Sequence, residues 1–439
     1  MFLITLLAIG LSEDSIFNLR DFRIPESGET RLSLYTYISL PWGQSSFSDN
    51  TEQEFTDIKV AYYHLGIPWS LRILAENKFV DLYLAPYSSG SYRSWVKDFN
   101  GVIDSTFTRI NPDIGVGLNT YSFSGLYIGR TPFFAAISDT LNSGFWYDSY
   151  DNGDISYTAT TKGVYGSLFF GPGIGRIRNV TSVIHAWQFL DEIGKANHDN
   201  VETLAGLLAR KYTYSLKYSR YEKYFYQDLE KLLQEKGIVS ELSTYDLMRL
   251  REIVATMQPG RLSGVRLWSG VGGNGEITSR VGTDTSFLRT YLDKGIQINL
   301  EAGYPLTRRW QLSGKLTADI ITPDWNKLEN HVRGEGQISY YLTDRWKLSL
   351  GLEGRRWDES QTTPSIETGN SIFDQIIISA AKGWWFDIPL GVTFYLEDNL
   401  YIYGNAGYGW THREYPNYDG SIYDHSGFFA ETGFTWRLR

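Results

Sequence analysis

The sequence predicts an all-β transmembrane antiparallel β-barrel of about 16 strands, with 14 as the alternative, broken by an α-helical insert. Three observations predict it. Apolar and polar residues alternate with a period of two through most of the last third of the chain. The polar face of that alternation carries charges that a packed soluble core rarely accepts. Aromatic residues gather beside the short turns. No stretch of the chain is apolar for long enough to cross a bilayer as a helix, so a membrane location requires strands.

Composition narrows the class. The 439 residues are 42% hydrophobic, 15% aromatic and 21% charged, which argues against a disordered chain. With 0 Cys there is no disulfide framework, no Cys-based metal site and no lipidated cysteine. A net charge of −9 argues against nucleic acid as a partner. Residues 1–12 open with an apolar run ending at Ser12-Glu13-Asp14, expected to be the remnant of a signal peptide.

The alternation is clearest from Ile296. Ile296, Ile298, Leu300, Ala302 and Tyr304 share one face, opposed to Gln297, Asn299, Glu301 and Gly303. Trp310, Leu312, Leu316 and Ile320 then alternate with Gln311, Lys315, Thr317 and Asp319. Residues 331–342, 346–352, 388–394, 400–410 and 428–438 repeat the pattern. Segments of about 9–11 residues or more suit a tilted strand crossing a bilayer. Glu301, Lys315, Asp319, Arg333, Glu335, Lys347, Glu353, Arg355, Glu431 and Arg437 are therefore expected to line a wet lumen, as an ion-pair ladder, a transverse field in a pore, or both. Tyr304, Trp310, Tyr340, Trp346 and Trp436 are expected at one membrane interface, with Trp357, Tyr408 and Trp410 at the other.

Turn lengths orient the barrel. The turns 305–309, 343–345 and 397–399 are short, while 321–330, 358–371 and 413–426 are longer. The pattern resembles bacterial outer-membrane β-barrels, porins among them, with short periplasmic turns and longer external loops; no single family is identified. The resemblance implies an outer-membrane location, contact with its lipid and a porin-like passive channel. The final residues, Phe434 to Arg439, depart from the terminal aromatic that many such barrels carry.

The first half, residues 13–175, reads as seven strands: 31–40, 57–65, 79–87, 102–110, 114–127, 134–145 and 164–173. Parity asks for an even number. Residues 260–439 supply eight more. Between them, residues 176–259 change period and read as helices at 182–196, 201–236 and 245–256, with Thr181 and Ser243 or Thr244 as N-caps and Gly237 as a C-cap. Parity places this insert in the periplasm, as a plug or as a small domain beneath the barrel. Lys211, Lys217, Arg220 and Lys223 interleave there with Tyr214, Tyr221 and other tyrosines. They form either a surface for a glycan, an anionic headgroup, a periplasmic protein or a cell-wall component, or tyrosines packed on the barrel mouth with solvated cations.

Glycine clusters do not suggest a cofactor. Residues 171–175 lack the Lys-Ser/Thr of a phosphate loop, and Pro172 removes a donor, so a strand end explains them better. Residues 271–275 read as the start of an external loop. The six histidines show no metal-ligand spacing. His412, Asp424, His425 and Ser426 form the sharpest catalytic set, in the expected last external loop. Three functions follow in order of expectation: a passive channel occluded by its helices, a structural or assembly barrel whose insert docks a partner, and an outer-membrane hydrolase.

Overall fold

The computed structural model describes residues 19, 22, 26–48, 53–99, 102–151, 156–255, 260–282, 286–322, 329–343, 345–358, 382–397, 400–415 and 421–437. The apolar N-terminal run and parts of the longer loops lie outside these residues.

The first group of strands is β1 (Glu26–Ser48), β2 (Gln53–Gly66), β3 (Trp69–Ala75), β4 (Lys78–Phe99), β5 (Val102–Tyr127), β6 (Phe133–Asp151) and β7 (Ser156–Asn179). After the helices come β8 (Leu262–Gly282), β9 (Ser286–Pro305), β10 (Trp310–Thr322), β11 (Glu329–Thr343), β12 (Trp346–Asp358), β13 (Lys382–Glu397), β14 (Leu400–Tyr415) and β15 (Ser421–Arg437). Every neighbour pair is antiparallel, and β1 pairs with β15 to close the sheet into a barrel.

β2 and β3 are two halves of one stave. β2 pairs with the later part of β1 and β3 with its first residues, and both pair with β4. Pro68, which has no N–H, marks the joint. Around it Ile67 N donates to Pro86 O at 3.0 Å, and Pro68 O accepts from Ser33 N at 3.0 Å. The wall therefore has fourteen staves, the alternative count rather than the favoured sixteen. The eight expected after the helices are present. The excess lay earlier: 102–110 and 114–127 are one strand, β5, which runs through Asn111-Pro112 at a register shift opposite Ser91 and Arg93. An even count keeps the start of β1 and the end of β15 at one rim.

The strands also outrun the expected length, β5 reaching 26 residues. In the first half the outer rim is built from extended strands joined by the short gaps 100–101 and 152–155. Two glycine clusters fall inside strands rather than at their ends. Gly171 and Gly272 lie where β7 and β8 approach closely; a Cβ at Gly272 would sit 1.9 Å from Leu168 O. At this place the Trp268 indole donates to Gly171 O at 3.0 Å, beside Pro172.

Exposed apolar residues belt the outside of the wall, among them Leu126 (66%), Phe170 (62%), Leu292 (75%) and Leu316 (44%). A belt this extensive is untenable in water and matches hydrocarbon. Among the described residues no helix is long and apolar enough to cross a membrane.

The helices are α1 (Thr181–Glu192), α2 (His198–Leu208), α3 (Lys211–Lys217), α4 (Tyr221–Glu235) and α5 (Thr244–Ala255). The expected long helix 201–236 is three pieces, because Asn197 caps a fresh start, its Oδ1 accepting from Asn200 N at 2.9 Å, and the chain turns again at 209–210 and 218–220. Gly237 ends α4 at φ +64. Ser243 caps α5 in a reciprocal box with Asp246: Ser243 Oγ accepts from Asp246 N at 3.1 Å, and Asp246 Oδ2 accepts from Ser243 N at 3.1 Å. Thr181 is not the cap expected of it. Its Oγ1 instead accepts from Arg261 N at 2.7 Å, pinning the two ends of the insert together.

The helices bury Val183, Phe189, Leu190, Leu204, Leu229 and Leu233 in a core of their own, which Leu19 and Phe22 complete. They meet the barrel at its short-turn rim. Arg308, in the β9–β10 turn, pairs with Asp191 at 3.1 Å and lies over the Trp187 ring at 4.8 Å. Arg345, before β12, reaches Glu252 at 3.5 Å. Buried Arg261 donates to Thr307 O and Trp310 O at 3.0 Å each and to Arg308 O at 2.9 Å. Tyr212 of α3 contacts β1 at Gly28. The helices thus touch widely separated staves around one mouth.

Candidate functional site: the lumen

The lumen is built from the inward residues of each strand, and its two sides differ. From β3 to β8 the inward face carries an aromatic cluster. Phe79, Phe123, Phe134, Phe169 and Trp268 form one buried cluster, with Leu74, Tyr127 and Ile177. Their rings meet edge-on; Phe79 and Phe134 centroids are 5.2 Å apart at 88°. Glycines on the adjoining strand make room for them. A Cβ at Gly125 would sit 2.4 Å from Phe79 Cζ, and one at Gly173 only 2.1 Å from Phe134 Cζ.

Charges close over this cluster. Arg266 (β8), 4% exposed, pairs with Glu301 (β9) at 2.5 Å. Its guanidinium also covers the Phe79 and Phe123 rings at 4.3 and 4.7 Å. Arg72 (β3) donates to the other carboxylate oxygen of Glu301 at 3.1 Å, and its Nε is 3.7 Å from Asp81. β3 and β9 are six staves apart in a fourteen-stave ring, so Arg72–Glu301 spans the lumen. Lys315 (β10) points the same way, its Nζ 5.6 Å above the Tyr121 ring of β5.

Along β10–β12 the inward residues are mostly polar, and those at mid-β11 stay wet. Arg333, Glu335 and Gln337 are exposed, Arg333 to 62% of its side chain, although all lie on the face away from lipid. Arg333 pairs with Glu353 at 2.6 Å, and Gln297 donates to Asp319 at 2.9 Å. Lys347 and Arg355 are inward and half-buried. A third stretch, β14–β15–β1–β2–β4, is lined by tyrosines around His64. Tyr37 and Tyr87 stack on its ring at 5.2 and 5.3 Å, and Tyr35 hydrogen-bonds to it. Glu431 lies beside them, hydrogen-bonded to Tyr403 and Asn405.

The charged residues read from sequence therefore divide. Glu301 belongs to the transluminal network, where its partners are Arg72 and Arg266. Lys315 faces that network. Asp319, Arg333, Glu335, Lys347, Glu353 and Arg355 line the β10–β12 side, and Glu431 the tyrosine side. The side chain of Arg437 lies outside the described residues. Sequence reading missed Arg72, Arg266 and Tyr121, whose role depends on contacts between distant strands.

The aromatics divide too. Tyr304, Trp346 and Trp436 are exposed on the outer face. Trp310 and Tyr340 are buried, their rings 4.6 Å apart at a tilt of 37° near the rim where the helices dock. Trp357, expected at the outer interface, faces the lumen against Arg413 at 5.9 Å.

Much of the expected last external loop is strand. His412 (β14) and Asp424 (β15) are register partners on the outer face, with His412 Nδ1 2.7 Å from Asp424 Oδ1 and Nε2 3.5 Å from Glu414. His425 points inward and is buried. The strand pleat thus separates His425 from Asp424 and Ser426, and breaks the catalytic set read from sequence. Among the described residues no group of His, Asp and Glu is arranged to hold a metal ion.

No family model and no curated protein matches the chain. Solved structures similar to it include the Pseudomonas putida toluene transporter TodX, 7% identical, covering 96% of this chain and 95% of that one at TM-score 0.35. The translocator domain of the autotransporter NalP from Neisseria meningitidis is 8% identical, covering 99% and 93%, at TM-score 0.29. OmpT of Vibrio cholerae is 9% identical, covering 95% and 100%, at TM-score 0.29. These likenesses are too distant to carry an argument about function. The closed antiparallel wall, its apolar outside and its mixed aromatic and charged inside make the chain a transmembrane β-barrel, the fold of bacterial outer-membrane proteins.

Proposed function

We propose that the barrel is a porin-like passive channel whose passage runs along β10–β12 and whose periplasmic mouth is covered by the helices. One observation carries the reading: the aromatic cluster, closed over by the Arg72–Glu301–Arg266 contacts, fills the β3–β8 side of the lumen, while Arg333, Glu335 and Gln337 on the other stay exposed to water. Charges of both signs on a wet wall order water and favour small polar solutes. The helices supply the closure. Among the contacts that hold them to the rim are partly exposed ion pairs, Arg308–Asp191 and Arg345–Glu252. Such pairs are worth about 0.2–1 kcal/mol each, so the cover is releasable.

Planar-bilayer recording tests this. The native protein should conduct rarely, and a chain lacking residues 180–256 steadily. Asn179 and Leu262 are already register partners, so the deletion leaves β7 and β8 joined by a short loop. Silence of both proteins would favour the second reading, a structural barrel whose helices dock a periplasmic protein or the cell wall. That reading draws on the filled aromatic side of the lumen. The hydrolase reading retains only the His412–Asp424 pair, and no serine is hydrogen-bonded to it among the described residues.

A further inference from the structure

α3 and α4 meet in an elbow where tyrosines and cations interleave. Lys217, Arg220, Lys223 and Tyr224 are exposed. The Tyr218 and Tyr224 rings lie 4.5 Å apart at a tilt of 30°, and Lys217 Nζ lies 5.0 Å above the Tyr218 ring. Tyr214 extends the platform, 6.3 Å from Tyr218, and its hydroxyl donates to Asp228 at 2.6 Å. Burial, and then that hydrogen bond, push the Tyr214 phenol up to about 12, so it stays neutral. Tyr214 packs edge-on against Phe225 of the helical core at 5.5 Å, whereas Tyr218 and Tyr224 lie outside that core. Of the nearby acids, Glu222 lies 3.8 Å from Arg251 and Asp228 is held by Tyr214. Lys217, Arg220 and Lys223 outweigh Asp228, whose charge the neutral phenol leaves in place, so the elbow is net positive.

Its position is the second observation. Tyr212, at the start of α3, lies against Gly28 of β1, where a Cβ would sit 2.6 Å from Tyr212 Cε1. Gly28 pairs with Ile73, whereas the neighbouring pair Ser27–Leu74 is buried on the lumen side. Gly28 and Ile73 therefore face outward. α3 thus reaches the outer side of the wall below Trp69 and Leu84, which are 37% and 41% exposed and belong to the apolar belt. Amphipathic rings with cations at the edge of such a belt match the headgroup layer. The rings settle at the polar–apolar boundary, and the Lys and Arg heads reach phosphate.

The geometry points to a lipid-headgroup site in which Lys217, Arg220 and Lys223, with Tyr218 and Tyr224, bind anionic phospholipid of the leaflet at the helical end. The site ties the insert to the bilayer as well as to the barrel. It goes beyond the channel reading and holds whether or not the barrel conducts.

The test uses the full chain, which has 0 Cys, with a spin label at Ser219→Cys in the elbow or at exposed Gln234→Cys on the C-terminal turn of α4. Each is placed in nanodiscs of phosphatidylcholine alone or mixed with phosphatidylglycerol. In the mixed discs the label at 219 should gain oxygen collisions and lose collisions with a water-soluble nickel chelate, while 234 stays aqueous. Adding K217A, R220A and K223A should return 219 to the aqueous values. Should that variant fold poorly, raising salt on the unmodified elbow should produce the same return. An aqueous label at 219 in both lipids would overturn the proposal. So would protection that survives both loss of the cations and high salt, or protection seen only when cell-wall glycan fragments replace phosphatidylglycerol.

Discussion

The two sides of the lumen obey the same strand geometry and reach opposite results. On β4–β8 five inward positions are Phe79, Phe123, Phe134, Phe169 and Trp268, so there the wall is apolar on both faces and its inside collapses into a dry cluster. On β10–β12 the inward positions are mostly polar, desolvation of the charged ones is unfavourable, and Arg333, Glu335 and Gln337 remain exposed to water. Arg266 and Glu301 stand at the seam. There the cost of burying Arg266 is offset by a carboxylate at 2.5 Å and two ring faces. One barrel thus contains a packed wall and a water-lined wall, set by what every second residue is.

The contrast should appear first in stability. Phe79→Ala should cost about 3–5 kcal/mol, as for a large aromatic lost from a packed core. Gln337→Ala, inward but wet, should stay within about 0.5 kcal/mol. Denaturant unfolding in detergent measures both, and similar costs would erase the distinction. Next comes the distinction between inside and outside. Leu316→Arg, facing lipid, should cost about 2–4 kcal/mol, and Thr317→Arg, its inward neighbour, much less. At the seam, Glu301→Gln should cost about 2 kcal/mol. That is below the loss for a fully buried pair, because Glu301 keeps 21% of its side chain exposed, yet Arg266 loses its counter-charge. The smallest stability change belongs to Glu335→Gln with Glu353→Gln. It leaves Arg333 in water rather than stranded in a wall, so stability should hold within about 0.5 kcal/mol. In the insert-deleted barrel, ion selectivity measured by reversal potential should shift away from cations.

The same contrast explains what was legible in the sequence. Ile296 to Arg355 announced itself because only one face of each strand is apolar there, so a period of two stands out. Around Phe123, Phe134 and Phe169 both faces are apolar and the period blurs. Asn111-Pro112 then read as a turn and split β5 in two. The cap at Ser243 and the stop at Gly237 were readable because they depend on residues close in sequence. The Arg72–Glu301 contact was not, since it joins residues 229 apart and exists only once the barrel closes. Parity and the pleat separated His425 from Asp424, a distinction that adjacency in sequence conceals.

Chemical modification during current recording tests the asymmetry most directly, because the chain offers no cysteine of its own. In the barrel lacking residues 180–256, a cysteine is placed at Gln337 on the wet wall or at Ser138 (β6), whose register partners are Phe123 and Phe169. A charged methanethiosulfonate reagent added to the bath should cut the current through Gln337→Cys and leave Ser138→Cys unchanged. Loss of current at Ser138 with none at Gln337, or equal loss at both, would contradict a passage confined to β10–β12.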